Sequence, residues 1–90
     1  MEIATFNWGI ALAFLKEGKR VARREWTMRR HAQYLFVVKG ECFKKIVDLH
    51  IGPNSKQITD QIWIVTSKGT VGPYSGCNCD TMADDWLLVP

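Results

Sequence analysis

The chain has 90 residues with 12 basic and 9 acidic side chains, a net charge of +3. This net charge is too small for a protein dedicated to binding duplex nucleic acid, but it favours an anionic ligand. No apolar run approaches the ~18 residues of a membrane span, and no signal peptide is evident. Three cysteines fit a reducing cytoplasm. We expect a single domain over residues 1–90 that buries only about 60–65% of its unfolded surface, so oligomerisation would stabilise it.

The first predicted element is a helix over residues 8–17. Asn7 is a favourable N-cap, and Gly18 supplies the left-handed residue that often follows the last helical turn. Apolar side chains fall on two opposite faces of this helix, with Trp8, Ala11, Leu12 and Leu15 on one and Ile10, Ala13 and Phe14 on the other. The second face predicts a contact with another subunit, and the alternative is a long loop of the same chain.

A basic segment follows the helix. Six basic residues lie between Lys19 and Arg30, and Glu25 is the only acidic residue among them. Val21 alternates with charged neighbours, which predicts a short edge strand with a polar outer side. The alternative is a solvated basic edge without a binding role.

The middle of the chain predicts one strand and an excursion. Residues 27–33 are polar and predict a loop, whereas residues 34–39 are nearly all apolar and predict a strand covered on both faces. Residues 40–60 form an excursion in which 41–51 fit either a helix or two irregular strands. The sequence Gly52-Pro53-Asn54-Ser55 predicts a turn.

The last third predicts a hairpin and a closing strand. A strand over residues 61–66 is followed by a tight turn in which Gly69 needs positive φ, and a return strand starts at Thr70. Asp80 is expected to cap one helical turn, and residues 86–89 form the final strand with Trp86 in the core. The predicted fold class is α+β, with one N-terminal helix packed on an antiparallel sheet of four to five strands.

Both ends of the chain resemble a small phage family. Its opening runs roughly F-G-x-A-L-x-x-L-x-x-G-x-x-V-x-R-x-x-W and its end runs D-M-L-A-x-D-W. The matching residues here are Phe6-Asn7-Trp8-Gly9, Ala11-Leu12, Leu15, Gly18, Val21, Arg23 and Trp26, then Asp80-Thr81-Met82-Ala83-Asp84-Asp85-Trp86. The family is the second Thoeris anti-defence family, and the two ends cover about a third of the chain.

The resemblance implies a function. Members of that family are sponges that sequester the cyclic ADP-ribose signal of a bacterial defence system without degrading it, and some also hold cyclic dinucleotides. It therefore implies a non-enzymatic, cytoplasmic protein of the host cell without a cofactor. A homotetramer, built as a dimer of dimers, is the family precedent.

A cyclic nucleotide is bound by aromatic rings that stack on its bases, by guanidinium groups that contact its phosphates and by polar groups that hydrogen-bond to its ribose hydroxyls. Trp26 and Tyr74 are the candidate stacking platforms, with Trp63 a weaker one, and Arg23 is the candidate phosphate ligand. The polar candidates lie in a glycine-rimmed loop and are Asn78, Asp80 and Thr81. By resemblance, Trp26, Arg23, Tyr74 and Asp80 occupy family positions, whereas Thr81 replaces the usual Met.

Metal binding and catalysis are not expected. Cys77-x-Cys79, Cys42, His31 and His50 offer ligand types for zinc, but Cys-x-Cys is not the usual knuckle spacing, and buried apolar thiols are the simpler interpretation. No nucleophile motif is present, and adjacent Asp84 and Asp85 diverge. The alternative to a sponge is a nucleic-acid- or protein-binding module that uses the Lys19–Arg30 edge; the sponge interpretation expects no nucleic-acid partner.

Overall fold

The first helix has the boundaries that its end signals predict. The structure, a computed structural model, describes residues 4–28, 32–52 and 57–90, and helix α1 spans Trp8–Lys16. The Asn7 side chain accepts a hydrogen bond of 3.0 Å from the Ile10 amide, and Gly18 follows the last turn with φ of +89°. Both features satisfy backbone groups that a helix end leaves unpaired.

One face of α1 lies fully in the core. Ala11 and Leu15 are completely buried, and Trp8 and Leu12 pack against the same cluster. The opposite face is mixed, because Phe14 packs on Phe6 with ring centroids 5.1 Å apart whereas Ile10 and Ala13 are exposed. Part of the second apolar face of α1 is therefore exposed to solvent in the single chain.

Five strands form one antiparallel sheet, namely β1 (Arg20–Arg23), β2 (Tyr34–Val38), β3 (Gln61–Val65), β4 (Val71–Pro73) and β5 (Trp86–Val89). Their order across the sheet is β4-β3-β2-β1-β5. This architecture confirms the predicted α+β class and the strand number.

The prediction that the basic segment forms an edge strand is wrong. Strand β1 lies inside the sheet, where Val21 pairs with Leu35 of β2 on one side and with Leu88 of β5 on the other. Val21 and Ala22 are completely buried. The charges at the two ends of β1 find partners within the chain, and this lets a short charged strand sit between two others.

The excursion between β2 and β3 is helical. A 3-10 turn covers Gly40–Phe43 and helix α3 covers Lys44–Ile51, which confirms the helical alternative. No side chain of α3 is buried, and Ile46, Leu49 and Ile51 are 58%, 84% and 68% exposed. The predicted turn at Pro53–Ser55 lies outside the described residues.

The expectation that both faces of β2 are covered holds for one face only. Leu35 is fully buried on the α1 side, whereas Tyr34 and Phe36 are half-buried on the other face. Beside them, Phe43 stacks on Trp63 with ring centroids 6.2 Å apart and planes 28° apart. This second sheet face is therefore aromatic and only partly covered.

The last third of the chain contributes a hairpin turn and the central tryptophan of the core. The β3–β4 turn has Gly69 at φ of +86°, as predicted. Trp86 is fully buried and packs between Trp8 and Trp26, with ring centroids 5.0 and 5.3 Å away. Among the described helices, none is long and apolar enough to span a membrane.

Candidate functional site

The candidate site lies where the last helical turn meets the paired ends of β1 and β5. Arg23 is opposite Trp86 in the β1–β5 register. A short helix, α4, covers Asn78–Thr81, and the buried indole of Trp86 donates from Nε1 to the carbonyl oxygen of Asp80 at 2.9 Å. The core tryptophan thus fixes α4 over the end of the sheet, beside the guanidinium of Arg23.

Arg23 holds two carboxylates with its planar fork. Its Nε donates to Asp85 Oδ1 at 2.8 Å and its Nη2 to Asp85 Oδ2 at 3.3 Å, while Nη1 donates to Asp80 Oδ1 at 2.9 Å. The three side chains are 18%, 33% and 14% exposed, in the order Arg23, Asp85, Asp80. Bidentate geometry and partial burial make these contacts stronger than an ordinary surface ion pair.

Tyr74 completes the cluster from the segment after β4. Its hydroxyl donates to Asp80 Oδ2 at 2.9 Å, and the Cys77 thiol donates to the same oxygen at 3.3 Å. Asp80 therefore accepts from Arg23 on one oxygen and from Tyr74 and Cys77 on the other. We call Arg23, Tyr74, Asp80 and Asp85 the Arg23 cluster.

Burial and hydrogen bonds shift the pKa values of three residues in the cluster. Burial and the nearby Asp80 raise the pKa of Tyr74 well above its usual value, so the phenol remains a donor at neutral pH. Burial would raise the pKa of Asp80, but hydrogen bonds from Arg23, Tyr74 and Cys77 outweigh it and lower that pKa. The bonds to Asp85 raise the pKa of Arg23 despite its burial.

The cluster carries a net formal charge of −1, because one guanidinium faces two carboxylates. Three of the five N–H groups of Arg23 are donated to Asp80 and Asp85, and a phosphate that approached the guanidinium would meet the negative charge of both carboxylates. The geometry therefore suits Arg23 to positioning Asp80 better than to the phosphate contact that the sequence predicts. Arg24, the next residue, is exposed and is better suited to a phosphate.

The structure brings together three of the six predicted site residues, namely Arg23, Tyr74 and Asp80. Asn78 and Thr81 lie on α4 beside them, where Thr81 Oγ1 donates to the Cys77 carbonyl at 3.3 Å. Asp80 does not cap this turn as predicted. The turn begins at Asn78, so Cys77 holds the N-cap position, and Asp80 lies inside the turn with its carboxylate hydrogen-bonded to Arg23 and Tyr74.

Trp26, a candidate stacking platform in the sequence, is buried in the structure. It lies in a helical turn, α2 (Arg24–Thr27), and is 5% exposed. Its ring meets Trp86 edge-on at 82°, a favourable aromatic geometry. In this conformation Trp26 supports the core beneath the site, and Tyr74 is the half-buried aromatic ring within it.

The basic residues from Lys19 to Arg30 do not form one free patch in the described part of that range. Lys19 lies 3.3 Å from a Glu17 carboxylate oxygen, and the Arg20 guanidinium lies over the Tyr34 ring, 5.4 Å from its centroid. Arg23 is held by the two aspartates, while Arg29 and Arg30 lie outside the described residues. These intramolecular partners weaken the case for a nucleic-acid-binding edge.

Asp85 is a cluster member that sequence reasoning left out of the site. Its position before Trp86 was visible in the closing A-x-D-W motif, but adjacent aspartates suggested diverging side chains. The structure shows Asp85 turned towards Arg23. The available signal was a carboxylate in the closing motif, directly before the tryptophan predicted to lie in the core; its approach to Arg23 depends on the β1–β5 pairing, which only the structure shows.

The cysteines are not buried apolar thiols. Cys42, Cys77 and Cys79 are free and exposed, because they lie on a 3-10 turn and around α4, which no apolar layer covers. The Sγ atoms of Cys77 and Cys79 are 2.7 Å apart, and hydrogen bonding to Cys79 is the main cause that raises the pKa of Cys77. Of the predicted histidine ligands, His50 is exposed on α3 and His31 lies outside the described residues.

Two clefts of about 430 and 440 Å³ lie away from the Arg23 cluster. One is beside the β5 edge and is lined by Lys19, Arg20 and Leu88 among others. The other lies between α1 and β3, with Lys16 and Lys39 at its rim. Neither cleft is lined by a predicted site residue.

The family model for the Thoeris anti-defense 2-like domain matches residues 6–89 of this sequence. The chain belongs to the Thoeris anti-defense 2-like family. The match confirms the resemblance read from the two ends and includes the whole middle of the chain. The anti-defense 2-like domain supports an anti-defence role directed at Thoeris signalling. No curated protein matches the chain.

Proposed function

We propose that the protein is a non-enzymatic sponge, which binds a cyclic nucleotide immune signal of the glycocyclic ADP-ribose type and sequesters it intact. The observation that carries the proposal is the family match over residues 6–89. A protein that blocks a defence system by mass action needs tight binding and no turnover. The proposal has the protein acting in the cytoplasm of the host cell, where such a signal is produced and sensed.

The Arg23 cluster supports recognition of a ribose. The Tyr74 hydroxyl donates to Asp80 at 2.9 Å, so the lone pairs of its oxygen and the remaining lone pair of Asp80 Oδ1 offer acceptors, which match the hydroxyl hydrogens of a ribose. Arg23 fixes the orientation of Asp80, so little side-chain freedom is lost on binding. In this proposal Tyr74 also offers its ring to a base, Arg24 meets a phosphate, and Asn78 and Thr81 line the rim.

The protonation states support binding without cleavage. General-base catalysis needs a group with a pKa near neutral pH. In the cluster Tyr74 has a raised pKa and Asp80 a lowered one. Both are thus held in states that donate or accept hydrogen bonds without exchanging protons at pH 7. The proposed protein returns its ligand unchanged.

We also propose a homo-oligomer, a dimer of dimers, in which a second subunit helps to enclose the ligand. The Arg23 cluster is partly exposed, and a chain of 90 residues offers few residues to surround a ligand of this size. Exposed apolar side chains on α3 and the half-buried aromatic face of the sheet are available for such contacts.

The experiment is a binding and release assay. The protein is mixed with glycocyclic ADP-ribose isomers or cyclic dinucleotides, and its melting temperature is measured, since a ligand that binds only the folded state raises it. The bound ligand is then released by heating and identified by mass spectrometry. We expect a shift with glycocyclic ADP-ribose and recovery of the intact molecule; a cleaved product would instead indicate an enzyme.

A pair of variants links binding to the cluster. Tyr74→Phe removes the hydroxyl that donates to Asp80 and should weaken binding by about tenfold, the value of one buried hydrogen bond. Thr70→Val removes a hydroxyl in the β3–β4 turn, which lies outside the cluster and outside the proposed subunit contacts, and should leave the affinity unchanged. Equal affinities for both variants would separate the ligand site from the cluster.

A further inference from the structure

Two thiols and a carboxylate converge at the start of α4. The Sγ atoms of Cys77 and Cys79 and a carboxylate oxygen of Asp80 all lie within 4.8 Å of one another. Both cysteines are free and exposed, so solvent ions reach them. The sequence had argued against a metal here, because Cys-x-Cys is an unusual spacing, but the fold adds a third ligand that spacing alone does not reveal.

The distances suit one small ion. A tetrahedral zinc ion with bonds of ~2.3 Å to sulfur holds two thiolates about 3.7 Å apart. Cys77 Sγ and Cys79 Sγ are 2.7 Å apart, and Cys77 Sγ is 3.3 Å from Asp80 Oδ2. Opening the sulfur pair by about 1 Å gives the required spacing, and the exposed Cys79 side chain can rotate to provide it.

Asp80 is already oriented as a metal ligand. Its Oδ2 accepts from the Cys77 thiol and from Tyr74, and its Oδ1 accepts from Arg23. When Cys77 loses its proton to a metal, its donation to Oδ2 ends and the freed lone pair can coordinate the same ion. Tyr74 and Arg23 would remain as the outer hydrogen bonds that hold a ligating carboxylate in place.

We propose that Cys77, Cys79 and Asp80 form a zinc site with water in the fourth position. Two thiolates exclude hard ions such as magnesium and calcium, and a mixed sulfur and oxygen set suits zinc. Binding releases both thiol protons to solvent and changes no oxidation state. Because Asp80 belongs to the Arg23 cluster, the ion would stiffen α4 beside the proposed ligand site.

The test uses the full chain, reduced and stripped of metal with a chelator. Cobalt(II) is titrated first, because thiolate ligation gives a charge-transfer band in the near ultraviolet, and zinc is then used to displace it. We expect one metal per chain. Cys79→Ser should weaken metal binding by more than about tenfold, since even outer partners of metal ligands cost ~10–100-fold.

Cys42→Ser is the matched control, because Cys42 is exposed and distant in sequence from α4, and it should bind metal like the wild type. Cys79→Ala serves as a second variant if the serine disturbs the turn, and circular dichroism checks the fold of both. Unchanged metal affinity in the Cys79 variants, or no thiolate band in a wild type with three titratable thiols, overturns the site.

The zinc proposal does not rest on the proposed function. Its readouts are metal content and the cobalt spectrum, whereas the sponge is tested by ligand recovery. A protein that binds zinc but no cyclic nucleotide would leave the metal site standing and remove the sponge. The reverse result would remove only the metal site.

Discussion

At the scale of single residues, Arg23 connects three parts of the chain. It comes from β1 and holds Asp85, just before β5, and Asp80 of α4. Each carboxylate is partly shielded from water, so removing the guanidinium leaves each without a charged hydrogen-bond donor that burial makes important. The cluster therefore ties the C-terminal third of the chain to β1, in addition to the binding role proposed for it.

Replacing Arg23 should destabilise the protein more than replacing a surface cation. Arg23→Ala leaves two partly buried carboxylates facing each other and should cost about 2 kcal/mol, below the ~3–5 kcal/mol of a fully buried pair because solvent screens the site. Lys39→Ala breaks an exposed pair with Asp60 and should cost at most ~0.5 kcal/mol. Urea unfolding of both variants checks this, and equal losses would contradict it.

At the scale of elements, the excursion over residues 40–60 is closed tightly at its base. Val38 pairs with Gln61, and the Gly40 amide donates to Asp60 Oδ1 at 2.8 Å. That hydrogen bond is the main reason that the pKa of Asp60 is lowered. Gly40 is also packed so closely that a Cβ would collide with the carbonyl of Ile58 and lie 3.0 Å from that of Thr59.

Gly40 should therefore tolerate no side chain. Gly40→Ala forces the two backbone segments apart and should cost about 2–3 kcal/mol, as expected for overpacking a closed site. Gly72→Ala is the control, because a Cβ there meets nothing within 4 Å and needs no positive φ, and it should be near neutral. Thermal unfolding distinguishes them; a mild Gly40→Ala variant would mean that the base of the excursion is loose.

At the scale of the whole molecule, the chain leaves much apolar surface exposed. The α1 face with Ile10, the α3 side chains Ile46 and Leu49, and the partly covered sheet face all lack a full covering within the described residues. A small domain with this much open apolar surface gains stability when copies associate. This is the physical basis of the proposed oligomer.

Association should be visible in two measurements. Light scattering is expected to give four times the chain mass of 10.3 kDa, and the melting temperature should rise with protein concentration, because association stabilises the folded state by mass action. Leu49→Ser, at an 84% exposed position, tests whether α3 takes part. A monomer at all concentrations would contradict the oligomer.

Local chemistry made much of the fold predictable from the sequence. Asn7 and Gly18 determine where α1 begins and ends, because caps depend on neighbouring backbone groups only. Gly69 marks the hairpin for the same reason, and the buried Trp86 follows from its apolar strand. The family was also recognisable, since its motifs lie in two short stretches that keep their spacing.

Contacts between distant segments needed the tertiary structure. That β1 is an inner strand depends on β5, more than 60 residues away, and no local pattern at Val21 encodes that pairing. The same pairing turns Arg23 towards Asp80 and Asp85, so that the side chain predicted to bind a phosphate is already paired with two carboxylates. Sequence by itself determined which elements form and which chemical groups are available, because propensity and capping act over a few residues. Only the folded chain decided which of those groups meet, because side-chain contacts depend on strand order and burial.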